Sequence, residues 1–270
     1  AQIAIEDNRF YSHGAIDLRG TMRALVSNMG GASTQGGSTL TQQYVKQARI
    51  EMAVSAGDEE GVRSAQEQTV SRKLQELRYA IALEHDLSKD QILERYLNIA
   101  YYGDGAYGVE AAAKHYFGVT ADKLDLGQAA MLAGLVQNPV SYDPVNNPEA
   151  AITRRNVVLT RMKSLGLVSE KDVQAAMKQG FNRSRVTYPK TGCISSKYPF
   201  VCNYVYQSLL SSPNLGKTRA EREKLVKRGG LEIHTLIDPK AQDSAQQAVS
   251  NWVGPTDPVL GGVATIQPGT

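Results

Sequence analysis

The chain has 270 residues, of which 41% are hydrophobic, 7% aromatic and 21% charged, with a formal net charge of +3 and a pI near 8.7. That is enough apolar material for one large domain, or a domain with a smaller appendage, and it excludes a disordered chain. The basic excess is too small to argue for nucleic acid as a partner, although it suits an anionic substrate or membrane surface, and no apolar run approaches a membrane span.

Ile5 to Asp17 places two adjacent carboxylates, Glu6 and Asp7, ahead of Phe10 and His13. In a helix, Glu6, Phe10 and His13 fall at i, i+4 and i+7 and share one face. An acid, a ring and an imidazole there suit chemistry, but also a solvated helix start over a buried histidine. After Asp17, an N-cap type, Leu18, Met22, Leu25, Val26 and Met29 recur at helical spacing beside Arg19 and Arg23, until Gly30-Gly31. This predicts an amphipathic helix whose stripe is either core or a membrane-facing surface.

The next helix starts at Ser38 or Thr39, where Thr39 and Gln42 have capping-box spacing. It puts Thr39, Gln43 and Lys46 on one polar face, opposite Leu40, Tyr44 and Val45. From Glu51 to Gln68 the composition turns to Ala, Gly, Ser and acid, which predicts a solvated excursion. A helix over Val70–Glu84 carries Val70, Leu74, Leu77 and Ile81 inward, with Arg72 and Lys73 one turn before Glu76. As surface pairs these would contribute only about 0.3–0.5 kcal/mol each.

Ser88 and Gln91 cap a helix through Ile99, followed by a glycine-rich connection at 102–108 that lacks the Lys-Ser/Thr of a phosphate loop. Further helices are expected over Val109–Phe117, Leu126–Gln137, Glu149–Lys163 and Lys171–Gln179. The stretch 181–230 is loop-rich, with a charged helix at Arg219–Arg228. Leu231–Ile237 alternates as a strand, Asp238-Pro239 caps a helix to Trp252, and Gly262–Ile266 starts another strand. Cys193 and Cys202, the two cysteines, are too few for a zinc set. A local disulfide, which would place the chain outside the cytosol, stands against two free buried thiols. The abrupt start at Ala1 and the stop after an apolar run read as cuts from a longer chain.

Taken in order, these motifs resemble the peptidoglycan glycosyltransferases of class A penicillin-binding proteins, glycosyltransferase family 51. Glu6-Asp7 with Phe10 and His13 is similar to the first motif, and Gly37-Ser38-Thr39-Leu40-Thr41-Gln42-Gln43 through Lys46 to the second. Arg72-Lys73 with Glu76 and Glu84 resembles the third, Ile92–Asn98 the fourth, and Arg154–Leu159 with Met162 the fifth. Gln47 departs from the asparagine common after the lysine.

The resemblance implies a mainly α fold: a lysozyme-like helical lobe with a smaller membrane-facing jaw, then a linker with a little β structure. It divides the chain into a glycosyltransferase domain (1–180), a linker with the cysteine loop (181–230) and the start of a transpeptidase-side domain (231–270). With no Ser-x-x-Lys tetrad, transpeptidase activity is not expected in this chain. The implied partners are lipid II, the growing lipid-linked glycan and the extracytoplasmic face of the bacterial plasma membrane.

In the implied reaction, a sugar hydroxyl displaces a lipid diphosphate from a glycan donor. Such a hydroxyl needs a carboxylate to take its proton, a role that falls to Glu6. The departing diphosphate needs converging cations, matched by Lys46, Arg72 and Lys73. Glu76 would position those cations or hold a divalent cation, Mg²⁺ or Mn²⁺. Asp7, Phe10, His13, Thr39 and Gln43 would line the groove and orient its contents. The rival readings are a lysozyme-like peptidoglycan-cleaving enzyme and a non-catalytic cell-wall binding module.

Overall fold

The computed structural model describes residues 1–17, 37–67, 69–188, 192–228, 231–254 and 256–265. They fall into two compact units, Ala1–Pro189 and Lys190–Thr270. The first holds α1 (Gln2–Glu6), α2 (Leu40–Ala56), α3 (Glu59–Gln66), α4 (Val70–Asp86), α5 (Lys89–Ile99), α6 (Val109–Phe117), α7 (Leu126–Leu135), α8 (Pro148–Ser164) and α9 (Glu170–Met177). The fold is mainly helical, and β pairing among the described residues is limited to one antiparallel bridge, Tyr101 to Tyr107. None of the described helices is long and apolar enough to cross a membrane.

The core is organised on α7, which is apolar on nearly every side and buried continuously from Ala130 to Leu135. A methyl added to Gly134 would lie 3.0 Å from Arg154 Cγ, so the small side chain lets α7 lie directly on α8. Val158, Leu159 and Met162 of α8 meet Ala4 of α1 and Val173 and Ala176 of α9 in one cluster. That cluster fixes α1, and with it Glu6 at its last position. Phe10, Leu40, Ile92 and Tyr96 form another, joining the first segment to α2 and α5.

Between α5 and α6 the chain makes a tight hairpin in which Tyr102 and Gly108 donate backbone bonds to Ala106 and Ala100 (both 2.9 Å). Gly103, Asp104, Gly105 and Gly108 all have positive φ. At Gly108 (φ +83°) a Cβ would stand 2.8 Å from the Asn98 carbonyl, whereas at Gly105 (φ +75°) it would meet nothing within 4 Å. Gly108→Ala is therefore expected to cost about 1–3 kcal/mol. Gly105→Ala, strained without a clash, should cost less; equal thermal shifts for the two would contradict this reading.

Several sequence expectations are corrected. Glu6, Phe10 and His13 do not share a helix face: α1 stops at Glu6, Asp7 caps it, and Phe10–Ser12 is a separate 3-10 turn. The excursion at 51–68 is solvated as expected, with Ala65 its one buried described residue, but it is largely helical. Gly57 closes α2 in the left-handed conformation, and the Asp58 side chain caps α3 by accepting from Gly61 N (2.8 Å).

α4 is rotated relative to expectation, with Val70, Leu74 and Ile81 being 78%, 58% and 52% exposed while Glu76 and Ala80 face inward. Ala80 is small enough to pack on Ala15 and Val45, and Glu76 is drawn in by its cations. The expected amphipathic helix at 18–29 and the loop after it lie outside the described residues, apart from Gly37.

In the second unit, Cys193 and Cys202 are joined by a disulfide, with their Cα atoms 5.3 Å apart. It ties a 3-10 turn to α10 (Pro199–Ser211), a helix the loop-rich reading overlooked although Pro199 stands at its N1 position. α11 (Arg219–Arg228) and α12 (Pro239–Trp252) follow, and Lys197 and the Tyr198 hydroxyl both contact Asp243 of α12. Leu231–Ile237 is not a strand. It has no partner strand among the described residues, and both of its faces are exposed. Residues 262–265 form no strand either.

Candidate active site

Glu6 sits at the edge of a cleft of about 810 Å³ bordered by α2, the start of α4 and the loops after α5 and α7. Its Oε2 accepts from Gln43 Nε2 (2.9 Å), and Gln43 Oε1 accepts from the Tyr96 hydroxyl (3.1 Å), which itself accepts from Gln2 Nε2 (3.3 Å). Tyr96 is fully buried; burial, then the charge of Glu6, pushes its pKa well above the ordinary tyrosine value. It stays a donor, which fixes the Gln43 amide with its NH₂ toward Glu6.

Tyr96, which lies in the Ile92–Asn98 stretch likened to the fourth motif, orients Gln43 and through it Glu6. Tyr96→Phe would leave Gln43 Oε1 without its donor, costing about 1–3 kcal/mol of stability. Through Glu6 it should also lower kcat about tenfold with KM within about twofold. A purely structural role would lower the melting temperature and leave kcat of the folded protein unchanged.

The cleft's charged wall comes from α2 and α4. Thr69 caps α4 by accepting from Arg72 N (3.2 Å), which places Arg72 and Lys73 in its first turn. Both reach Glu76, which is 1% exposed: Arg72 Nη1 bonds Oε1, and Lys73 Nζ lies 3.2 Å from Oε2. Lys73 Nζ also donates to Ser38 Oγ (2.6 Å). Lys46 lines the same wall and makes no ion pair among the described residues. Gln42 Oε1 and Gln47 Oε1, from two more residues bordering the cleft, are buried acceptors without a protein partner there.

The structure thus brings Glu6, Gln43, Lys46, Arg72, Lys73 and Glu76 to one cleft. Asp7, Phe10, His13 and Thr39 stand behind its wall. Asp7 Oδ2 accepts from Leu40 N (3.1 Å) at the start of α2, while Oδ1 lies 2.6 Å from His13 Nε2. Thr39 accepts from Gln42 N (3.3 Å) and donates to Ala15 O (3.1 Å). Gln42 turns its amide to Ala15 O (3.0 Å), so only half of the expected capping box forms. Phe10 is fully buried beneath Lys89 Nζ, 4.5 Å from its ring centre. These four hold α2 against the segment that carries Glu6.

A family profile described as Transglycosylase matches residues 1–163, which contain every residue of this cleft. The chain belongs to the transglycosylase family. It is 38% identical over 271 residues to penicillin-binding protein 1A/1B of Bacillus subtilis, covering 98% of this chain and 27% of that protein. It is 37% identical to penicillin-binding protein 1A of Mycolicibacterium smegmatis, covering 100% of this chain and 32% of that one. The chain therefore spans no more than a third of the length of these relatives. Among solved structures it is similar to penicillin-binding protein 1A from Haemophilus influenzae, with 30% identity, a TM-score of 0.35, and coverage of 60% of this chain and 22% of that one.

At Glu76 the cleft offers a divalent cation no free carboxylate oxygen. Both Glu76 oxygens are engaged by Arg72 and Lys73. Asp7, His13 and Asp17 have ligand atoms within 4.8 Å of one another, but these too are committed. His13 Nδ1 lies 2.5 Å from Gly14 O, and its Nε2 faces Asp7. Asp17 pairs with Arg9.

Proposed function

We propose that residues 1–180 polymerise lipid II into β-1,4 glycan at the extracytoplasmic face of the bacterial plasma membrane. Residues 181–230 then serve as a linker and 231–270 as the start of a transpeptidase-side domain. The observation that carries the reading is a carboxylate, Glu6, oriented by Gln43 on the rim of a cleft whose wall gathers Lys46, Arg72 and Lys73.

The 4-hydroxyl oxygen of the acceptor attacks the anomeric carbon of the lipid-linked donor, and Glu6 takes the hydroxyl proton as the C–O bond forms. The bond from the anomeric carbon to the phosphate oxygen breaks. Its electron pair leaves with the diphosphate, whose growing charge the three cations stabilise in place. Attack from the face opposite the leaving group converts an α-linked donor into a β-linked product.

Glu76 holds Arg72 and Lys73 in register. With both oxygens of Glu76 held by Arg72 and Lys73, a Mg²⁺ or Mn²⁺ requirement would be met at the substrate's diphosphate rather than at Glu76. Incubation with labelled lipid II in detergent, with and without a divalent ion, should give glycan chains. Cleavage of finished peptidoglycan with no polymer formed would favour a lysozyme-like enzyme instead.

A further inference from the structure

The cleft has a wall without charge. In the hairpin between α5 and α6 the side chains alternate: Ala100, Tyr102 and Ala106 are buried, while Tyr101 and Tyr107 border the cleft. The rings lie side by side, with centroids 4.6 Å apart and planes 32° from parallel, and Tyr107 is 63% exposed. Such a pair exposes a continuous aromatic surface to whatever enters.

The hairpin is also built to keep its shape. Gly103 admits no Cβ, which would stand 2.7 Å from the Pro139 carbonyl. Asp104, the one described non-glycine residue with positive φ (45°), is held by His115 Nε2 (2.9 Å) and the Tyr188 hydroxyl (3.1 Å). Both bonds meet on Asp104 Oδ2, and a strained residue held in this way keeps the hairpin that carries the two rings preorganised.

We propose that Tyr101 and Tyr107 form a platform on which a neutral pyranose ring of the acceptor stacks, setting its hydroxyl before Glu6. This rests on the glycosyltransferase reading above. In that reaction the donor is anchored through its diphosphate by Lys46, Arg72 and Lys73. The acceptor reacts through a sugar one residue away from its own diphosphate, so charge cannot align the attacking hydroxyl. A β-linked N-acetylhexosamine carries its substituents equatorially, and its axial C–H bonds make apolar faces that match the negative face of a tyrosine ring. Tyr107 is the cleaner probe, because the Tyr101 hydroxyl also accepts from Gly105 N (3.4 Å) within the hairpin.

The test measures lipid II kinetics together with binding of a soluble β-1,4 N-acetylglucosamine tetrasaccharide, followed by NMR of the tyrosine rings. Tyr107→Ala should raise KM and weaken tetrasaccharide binding by about fivefold to tenfold, with kcat within about twofold. Tyr107→Trp should hold both near the parent. Unchanged KM and tetrasaccharide binding in Tyr107→Ala would overturn the platform, as would a fall in kcat at constant KM. Failure of Tyr107→Trp alongside Tyr107→Ala would also overturn it. Glu6→Gln, although slowed in catalysis, should bind the tetrasaccharide as the parent does. If the parent polymerised nothing yet bound the tetrasaccharide through Tyr107, the glycosyltransferase reading would fail and the platform would stand.

Discussion

Glu6→Gln should lower glycan formation from lipid II by about 10²–10⁴-fold, the usual contribution of a positioned general base. Glutamine matches glutamate in shape and cannot take a proton from the attacking hydroxyl. Glu6 is half-buried at the end of α1, and its segment is held through Ala4 and Asp7 rather than through its own carboxylate. Melting temperature and lipid II KM should therefore stay near parental values. A Glu6→Gln protein that polymerised at the parental rate would remove Glu6 from the mechanism.

Glu76→Ala is expected to damage both stability and activity. The lost carboxylate is 1% exposed and lies between two cations, and breaking a buried pair typically costs about 3–5 kcal/mol. Lys73 is 43% exposed, so its share is screened, and about 2–4 kcal/mol is the expected total. With Arg72 and Lys73 released from their register, turnover should fall by about 10²–10³-fold, the scale seen when a preorganised electrostatic group is removed. Glu76→Gln keeps the shape and one acceptor oxygen, and should recover much of the stability and part of the rate. Full rescue of Glu76→Gln by raised Mg²⁺ would contradict a cation-positioning role and point to metal binding at this carboxylate.

Much of the fold was legible because its signals are local. Ser88 with Gln91 forms the capping box its spacing predicts, and the α6 range agrees at both ends, with Gly118 left-handed just beyond. What escaped depends on contacts distant in sequence. The i, i+4, i+7 pattern from Glu6 assumes an unbroken helix, yet Asp7 turns out of it to bond Leu40 N, 33 residues on. The stripe on α4 has the right period, but a period names a face and not what the face meets. The polar contacts of Glu76 and the small size of Ala80 decided that. Tyr96 lies inside the Ile92–Asn98 stretch, but nothing local shows its role; that comes from its hydroxyl on Gln43, 53 residues away. At Gly57-Asp58 the signals were local but lay inside a composition typical of a loop, and the helix stop and start they mark prevailed.

The central claim is inverting transfer with diphosphate departure at the Glu6 cleft, and the most direct measurement follows bond-making and leaving-group release together. Lipid II labelled with ¹³C at its anomeric position and in its lipid would be incubated with the 270-residue chain. Product configuration would be read by NMR and freed lipid diphosphate counted. The account predicts β-linked glycan with one lipid diphosphate released per new linkage, and both products formed about 10²–10⁴-fold more slowly by Glu6→Gln. Retention of the α configuration, or release of lipid diphosphate with free sugar and no new linkage, would contradict it.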